Sequence, residues 1–172
     1  LEEIVRTLFK SWFIDFDPLT EKLENKNNKF TNEIKELFPD CYEKSEIGEI
    51  PKGWHLTSLG EILTFIGSGK RPKGGSSISE KQVPSIGAEN INFLGNYNYS
   101  KEKYIPKEFY LKLKEKNLSI KDYDILIYKD GAKIGRSTIF GKGFPHDECT
   151  INEHVHLIRC DQIIQKYLYF YI

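Results

Sequence analysis

The chain has 172 residues with 25 basic and 25 acidic side chains, so its formal net charge is zero and no global field draws it onto a polyanion. Its length suits one ordinary domain with an appendage, and a hydrophobic fraction of 39% beside ten Tyr and eleven Phe suits a polar chain that works through its surface. Cys41, Cys149 and Cys160 are odd in number and irregularly spaced, which argues against a disulfide framework and for a reducing cytoplasm, and no run approaches the roughly 18 apolar residues of a membrane span.

Leu1, Ile4, Val5, Leu8, Phe9, Trp12 and Phe13 recur at the spacing of one helical face and predict an amphipathic helix. The pattern opens without a capping residue, so the helix is expected to continue upstream; Asp15, Asp17 and Pro18 are expected to end it. Glu24 to Lys29 reads as a polar linker. From Pro51 the composition turns to short β-branched and aromatic runs, which predict strands over 55–59, 63–66, 83–86, 124–128, 134–140 and 153–159. Pro106 starts a predicted helix over 107–116. A last helix begins at an N-cap Asp161 and repeats Ile163, Ile164, Tyr167, Leu168 and Tyr171. The layout is helix, mixed α+β domain, helix, with the helical stripes facing either the core or a partner.

Catalytic templates fail on their required residues. Gly69-Lys70 resembles part of a phosphate loop, but a Walker loop needs Gly where Thr64 stands and Ser or Thr where Arg71 stands. Pro39-Asp40 lacks the acidic-x-Lys partner of a metal-dependent nuclease, and Asn96-Tyr97-Asn98-Tyr99 lacks the prolines of an amino-methyltransferase loop. His146, Cys149, His154, His156 and Cys160 crowd one stretch, but the spacing matches no zinc template, and His154 and His156 are expected to share one face of a strand. No catalytic or metal-binding residue is expected.

Nucleic acid is the better match for three loops. The segment 67–75 carries Lys70, Arg71 and Lys73 on a glycine-rich backbone without an acid, beside Ser68. Arg can grip guanine as a fork while Lys and backbone N–H groups hold phosphates. The segment 128–137 places Lys129, Lys133 and Arg136 near an Asp130-Gly131 turn, where Gly131 and Gly135 serve backbone geometry. The segment 89–92 offers Asn90 and Asn92 to adenine, with Tyr97 and Tyr99 placed to stack or touch sugar. Each also has a plainer reading, as a solvated turn, an ordinary hairpin, and an Asn turn.

Taken together, these motifs resemble the specificity subunits of Type I restriction-modification enzymes. Leu8-Phe9-Lys10-Ser11-Trp12-Phe13-Ile14-Asp15-Phe16-Asp17-Pro18 resembles the end of that family's central spacer helix, and Ser45-Glu46-Ile47-Gly48-Glu49-Ile50-Pro51-Lys52-Gly53-Trp54 the start of its second target recognition domain. Leu59-Gly60-Glu61-Ile62, Pro84-Ser85-Ile86-Gly87-Ala88-Glu89-Asn90-Ile91 and Tyr123-Asp124-Ile125-Leu126-Ile127 follow in the family's order. Asn152-Glu153-His154-Val155-His156-Leu157-Ile158-Arg159 resembles the closing strand.

The resemblance implies a β-rich α+β recognition domain over 25–160, between the end of a spacer helix and linker over 1–24 and the start of a second spacer helix over 161–172. The spacer helices would form part of an antiparallel, coiled-coil-like bundle. It further implies a non-catalytic subunit that reads one half of a split target in double-stranded DNA. Methyltransferase subunits would be direct partners and restriction subunits indirect ones, with Ile4, Leu8 and Trp12 on the partner or self-pairing face. S-adenosylmethionine, ATP and magnesium would belong to those partners, and this chain would hold no cofactor. Trp54 is expected to pack inside the recognition domain. The family's usual subunit has two such domains, so the chain is read as a fragment in preference to a half-subunit. A protein-interaction adaptor that reads no DNA is the alternative.

Overall fold

The computed structural model describes residues 2–26, 29–77, 82–132 and 134–172, which divide into two compact units, Leu1–Ser58 and Leu59–Ile172. The fold is α+β. The break between units lies at 58/59, whereas the sequence places the first boundary at 24/25.

The first unit holds helices α1 (Glu2–Phe13), α2 (Asp17–Leu23) and α3 (Asn32–Glu36) and an antiparallel hairpin of β1 (Tyr42–Ser45) and β2 (Gly48–Pro51). Pro18 does not simply stop the first helix. It stands in the first turn of α2, where its missing N–H costs nothing, while Phe16 at φ 55° makes the corner between the two helices. Glu21 then closes the following loop by accepting from the backbone N–H groups of Lys29 at 2.8 Å and Phe30 at 3.1 Å. The core of this unit is aromatic. Trp54 stacks on Phe13 at 6.2 Å and on Phe38 at 6.2 Å, and meets Phe16 edge-on at 5.5 Å. Trp54 thus packs between the end of the first helix and Phe38. Trp12 packs edge-on against Phe30, while Ile4 and Leu8 stay 61% and 50% exposed, so the apolar stripe of α1 is only partly used within its own unit.

The second unit holds α4 (Leu59–Ile62), β3 (Leu63–Ser68), β4 (Val83–Ile86), a short 3-10 turn (Tyr99–Lys101), β5 (Tyr104–Ile105), α5 (Lys107–Glu115), β6 (Ile125–Tyr128), β7 (Ser137–Ile139), β8 (Thr150–Ile151), β9 (Val155–Cys160) and α6 (Gln162–Tyr171). Four strands form an antiparallel sheet in the order β3-β9-β6-β7, and three form a smaller mixed sheet in the order β5-β4-β8. Strand β9 is central, and its alternation sorts the core. Val155 and Leu157 face the cluster built with Ile86, Ile105, Tyr110, Leu113 and Phe140, while Ile158 and Cys160 face the one built with Leu168 and Tyr169 of α6. Asp161 caps α6 by accepting from Ile163 N–H at 2.9 Å, and buried Gln165 ties the helix to β9 through Cys160 N–H and Ile158 C=O.

Two strand predictions differ from the fold. Residues 55–58 take no strand and Leu59 opens α4 instead; the run 134–140 contributes only Ser137–Ile139, leaving Ile134 69% exposed in the preceding loop. Positive φ at Gly135, 85°, following that at Gly131 just before the run, 79°, turns the chain ahead of the strand.

Candidate nucleic-acid interface

Sheet pairing brings two basic loops together. Ser68 at the end of β3 lies opposite His156, and Tyr128 at the end of β6 lies opposite Val155, so the loops that follow both strands leave the same end of the sheet. The turn 152–154, which joins β8 to β9, arrives between them. Lys129 Nζ donates to Ser68 Oγ at 2.7 Å, Lys129 N–H donates to His154 C=O at 3.0 Å, and Gly69 N–H donates to Val155 C=O at 3.3 Å.

Within the first loop Lys70, Arg71 and Lys73 are exposed. Arg71 forms an ion pair with Glu153. The glycine-rich backbone does approach another surface closely, but that surface is the protein itself: a Cβ at Gly69 would stand 2.1 Å from Ile151 C=O and 2.2 Å from Asn152 C=O. Lys70 and Arg71 line a small cleft with Ser85, Lys103, Asn152 and Glu153. Lys103, across that cleft, pairs with Glu89 at 2.5 Å. Burial works against the charge on Glu89, yet the Lys103 ammonium and nearby groups that include His154 hold its carboxyl below the usual carboxylate range.

In the second loop Lys129 and Arg136 are half-buried, and Lys133 lies outside the described residues. Backbone bonds from Gly135 N–H to Tyr128 C=O and from Tyr128 N–H to Arg136 C=O, both 2.8 Å, extend the β6–β7 ladder by one step into this loop. The Arg136 guanidinium lies over the Phe93 ring, 5.6 Å from its centre, which joins the third loop to the second. Gly95 N–H, donating to Thr138 Oγ1 at 3.0 Å, fixes that loop beside β7.

The third loop keeps only part of its expected reading surface. Asn92 is exposed, but Asn90 is buried and turns the chain, accepting from Gly87 N–H at 2.9 Å and donating to Asn98 C=O at 3.1 Å. Tyr97 is likewise not free to stack on a base. Its ring packs edge-on against Tyr99 at 4.7 Å and Phe140 at 5.9 Å, and burial raises its hydroxyl pKa well above the ordinary value. Tyr99 remains half exposed.

The His and Cys residues that crowd the sequence are dispersed in space. His146 pairs with Glu102, Cys149 is buried in the larger core cluster, and Cys160 is buried in the smaller one. His154 and His156 do not share a strand face: His154 precedes β9 and its Nδ1 meets Asp130 Oδ1 at 2.9 Å, whereas His156 lies in the strand with Nδ1 buried and without a hydrogen-bond partner among the described residues. Among the described residues no group of three or more His, Cys, Asp or Glu is arranged to hold a metal ion. Sequence reasoning did not assign Asp130, Glu153, His154, Phe93 or Lys103 to this site, because their place in it follows from strand pairing and loop packing, which no spacing in the sequence displays.

No protein-family model matches the chain. Over 181 aligned residues it is 28% identical to the Type I restriction enzyme MjaIX specificity subunit of Methanocaldococcus jannaschii, an alignment that takes in 99% of this chain and 34% of that protein. The chain thus spans about a third of the length of that relative. Among solved structures it is similar to a chain from work on complex assembly and conformational transition of a type I R-M system, with 16% identity, TM-score 0.47, and coverage of 97% of this chain and 36% of that one. It is also similar to the HsdS subunit from Thermoanaerobacter tengcongensis, with 15% identity, TM-score 0.44, and coverage of 97% and 36%. The sequence relative is thus a specificity subunit of the kind that the motifs around Trp12, Trp54 and Asn90 resemble.

Proposed function

We propose that the second unit is a sequence-specific reader of double-stranded DNA that specifies one half of a bipartite target within a Type I restriction-modification assembly. The observation that carries this reading is the meeting of the 67–75 and 129–136 loops at one end of the sheet, with Asn92 joined to them through Phe93 and Arg136. Lys70, Lys73 and Lys129 suit phosphate, while Arg71, Arg136 and Asn92 suit base edges. Similarity to a specificity subunit along nearly the whole chain supports the same role.

In this reading the chain supplies an address and no chemistry. Modification subunits carry S-adenosylmethionine and transfer methyl groups, and restriction subunits act through ATP and magnesium. The apolar residues left exposed on α1 and α6, Ile4 and Leu8 on one and Ile163, Ile164, Tyr167 and Tyr171 on the other, suit helices that meet other helices of the assembly. In this reading the assembly works in the cytoplasm.

The test is selection from a random duplex pool by the protein with its modification subunits, repeated with Lys70, Arg71 and Lys73 all changed to Ala. A split motif with one half blurred in the variant is expected. An unenriched pool from the unaltered protein would instead make the chain a docking adaptor.

A further inference from the structure

We infer that Glu153 and His154 are positioning residues which lock the two basic loops together, so that Arg71 meets DNA as an oriented fork and not as a free cation. This rests on the DNA-reading role proposed above.

The two residues occupy a turn that is held from every side. Asn152 N–H donates to Ile86 C=O at 2.9 Å, tying the turn to the smaller sheet, and Asn152 Oδ1 accepts from His154 N–H at 2.9 Å. Gly69 of the first loop sits against the Ile151 and Asn152 carbonyls, and Lys129 of the second loop donates its N–H to His154 C=O. From this support the side chains reach outward in both directions. Glu153 Oε1 pairs with Arg71 and lies 3.3 Å from His154 Nε2, while His154 Nδ1 lies 2.9 Å and 3.0 Å from the two oxygens of Asp130. The series Arg71, Glu153, His154, Asp130 therefore runs from one loop to the other, and the Lys129–Ser68 bond links the same two loops by a second route.

Glu153 has no evident part in holding the sheets together. Among the described residues its side chain meets those of Arg71 and His154, and its second oxygen, Oε2, is buried with no hydrogen-bond partner. Burying a carboxylate oxygen unpaired costs free energy, so stability does not explain the residue. An acid among cations that approach phosphates also opposes binding in general. What the acid supplies is direction: a guanidinium held by one edge presents its other N–H groups in a fixed plane, as bidentate contact with a base edge requires.

The experiment uses the protein with its modification subunits and measures base selection and the salt dependence of affinity for Glu153→Gln, Asp130→Asn, Arg71→Ala and the double variant Arg71→Ala with Glu153→Gln. Glu153→Gln and Asp130→Asn are expected to relax selection at the base pair that Arg71→Ala relaxes, each by roughly tenfold, and the double variant is expected to lose no more than Arg71→Ala alone. A simple electrostatic role predicts the opposite, uniform tightening on every sequence with preference unchanged, and that result with Arg71→Ala still relaxing one position would overturn the inference while leaving the DNA-reading role intact. If Arg71→Ala itself relaxes no position, the inference is overturned as well. Should Glu153→Gln fail to fold by circular dichroism, Asp130→Asn decides alone, since Asp130 is 47% exposed and its loss leaves the core untouched. An unaltered protein that selects no sequence would refute the reading on which the inference stands.

Discussion

Lys129 Nζ donates to Ser68 Oγ across 2.7 Å, joining two loops that are 61 residues apart in the chain. The bond holds a cation of the second basic loop against the root of the first. It forms because β9 pairs with β3 on one side and β6 on the other, so that both loops leave the sheet at the same end.

Removal of either partner should separate stability from binding. Ser68→Ala is expected to lower unfolding free energy by about 1 kcal/mol, read by denaturant titration. Lys129→Ala should weaken DNA binding evenly across sequences and reduce the magnitude of the salt slope by about one, as loss of one phosphate contact does. A Lys129→Ala effect confined to one base position would assign Lys129 to a base instead.

Gly69→Ala should be far more damaging than its exposed basic neighbours suggest. A methyl group there would overlap two carbonyl oxygens of the 151–152 backbone, so either the first loop or the β8–β9 turn must move. The expected cost is about 2 to 3 kcal/mol in unfolding free energy, together with loss of base selection. Gly74→Ala tests the comparison from open space: nothing lies near its Cβ position, and its cost should come only from φ 90°.

Arg159 and Asp124 form a largely buried charge pair in the second unit. Arg159 Nε and Nη2 donate to the two Asp124 oxygens, each at 2.6 Å, and Nη2 also donates to Ser119 C=O at 3.1 Å. The side chains are 14% and 1% exposed, so removing one partner strands the other in a poor solvent. Asp124→Ala and Arg159→Ala are each expected to cost about 3 kcal/mol, with a double variant well short of the sum of the two. Calorimetry of the four proteins measures the coupling.

Acid sensitivity should trace to Glu102. Burial opposes its charge, but hydrogen bonds from Tyr104, His146 and Tyr97 more than compensate and hold its carboxyl below the usual carboxylate range. A carboxyl with a depressed folded pKa adds stability that is complete above its unfolded pKa and vanishes as pH falls through the folded value. Glu102→Gln should therefore lower the thermal midpoint at neutral pH and flatten its fall as the solution is acidified through and below the ordinary carboxylate range. Tyr97→Phe, which removes one donor, should give a smaller change in the same direction.

Local chemistry determined much of this protein from sequence alone. Pro106 and Asp161 start helices where rigid φ and a side-chain acceptor allow it, the apolar run at 83–86 becomes a strand, and Gly131 and Gly135 adopt positive φ that other residues resist. The charges of the 67–75 and 129–136 loops were equally plain, since composition is read directly. Tertiary structure alone decided what those charges meet. Arg71 finds Glu153 and Lys129 finds Ser68 because β9 enters between two strands from a distant part of the chain, and Arg136 finds Phe93 because Gly95 holds that loop beside β7. Tyr97 and Asn90, which look available in sequence, are consumed by packing and by a turn. Periodicity tells which face of a strand is buried but not which strand lies beside it, and strand pairing set which loops share one end of the sheet.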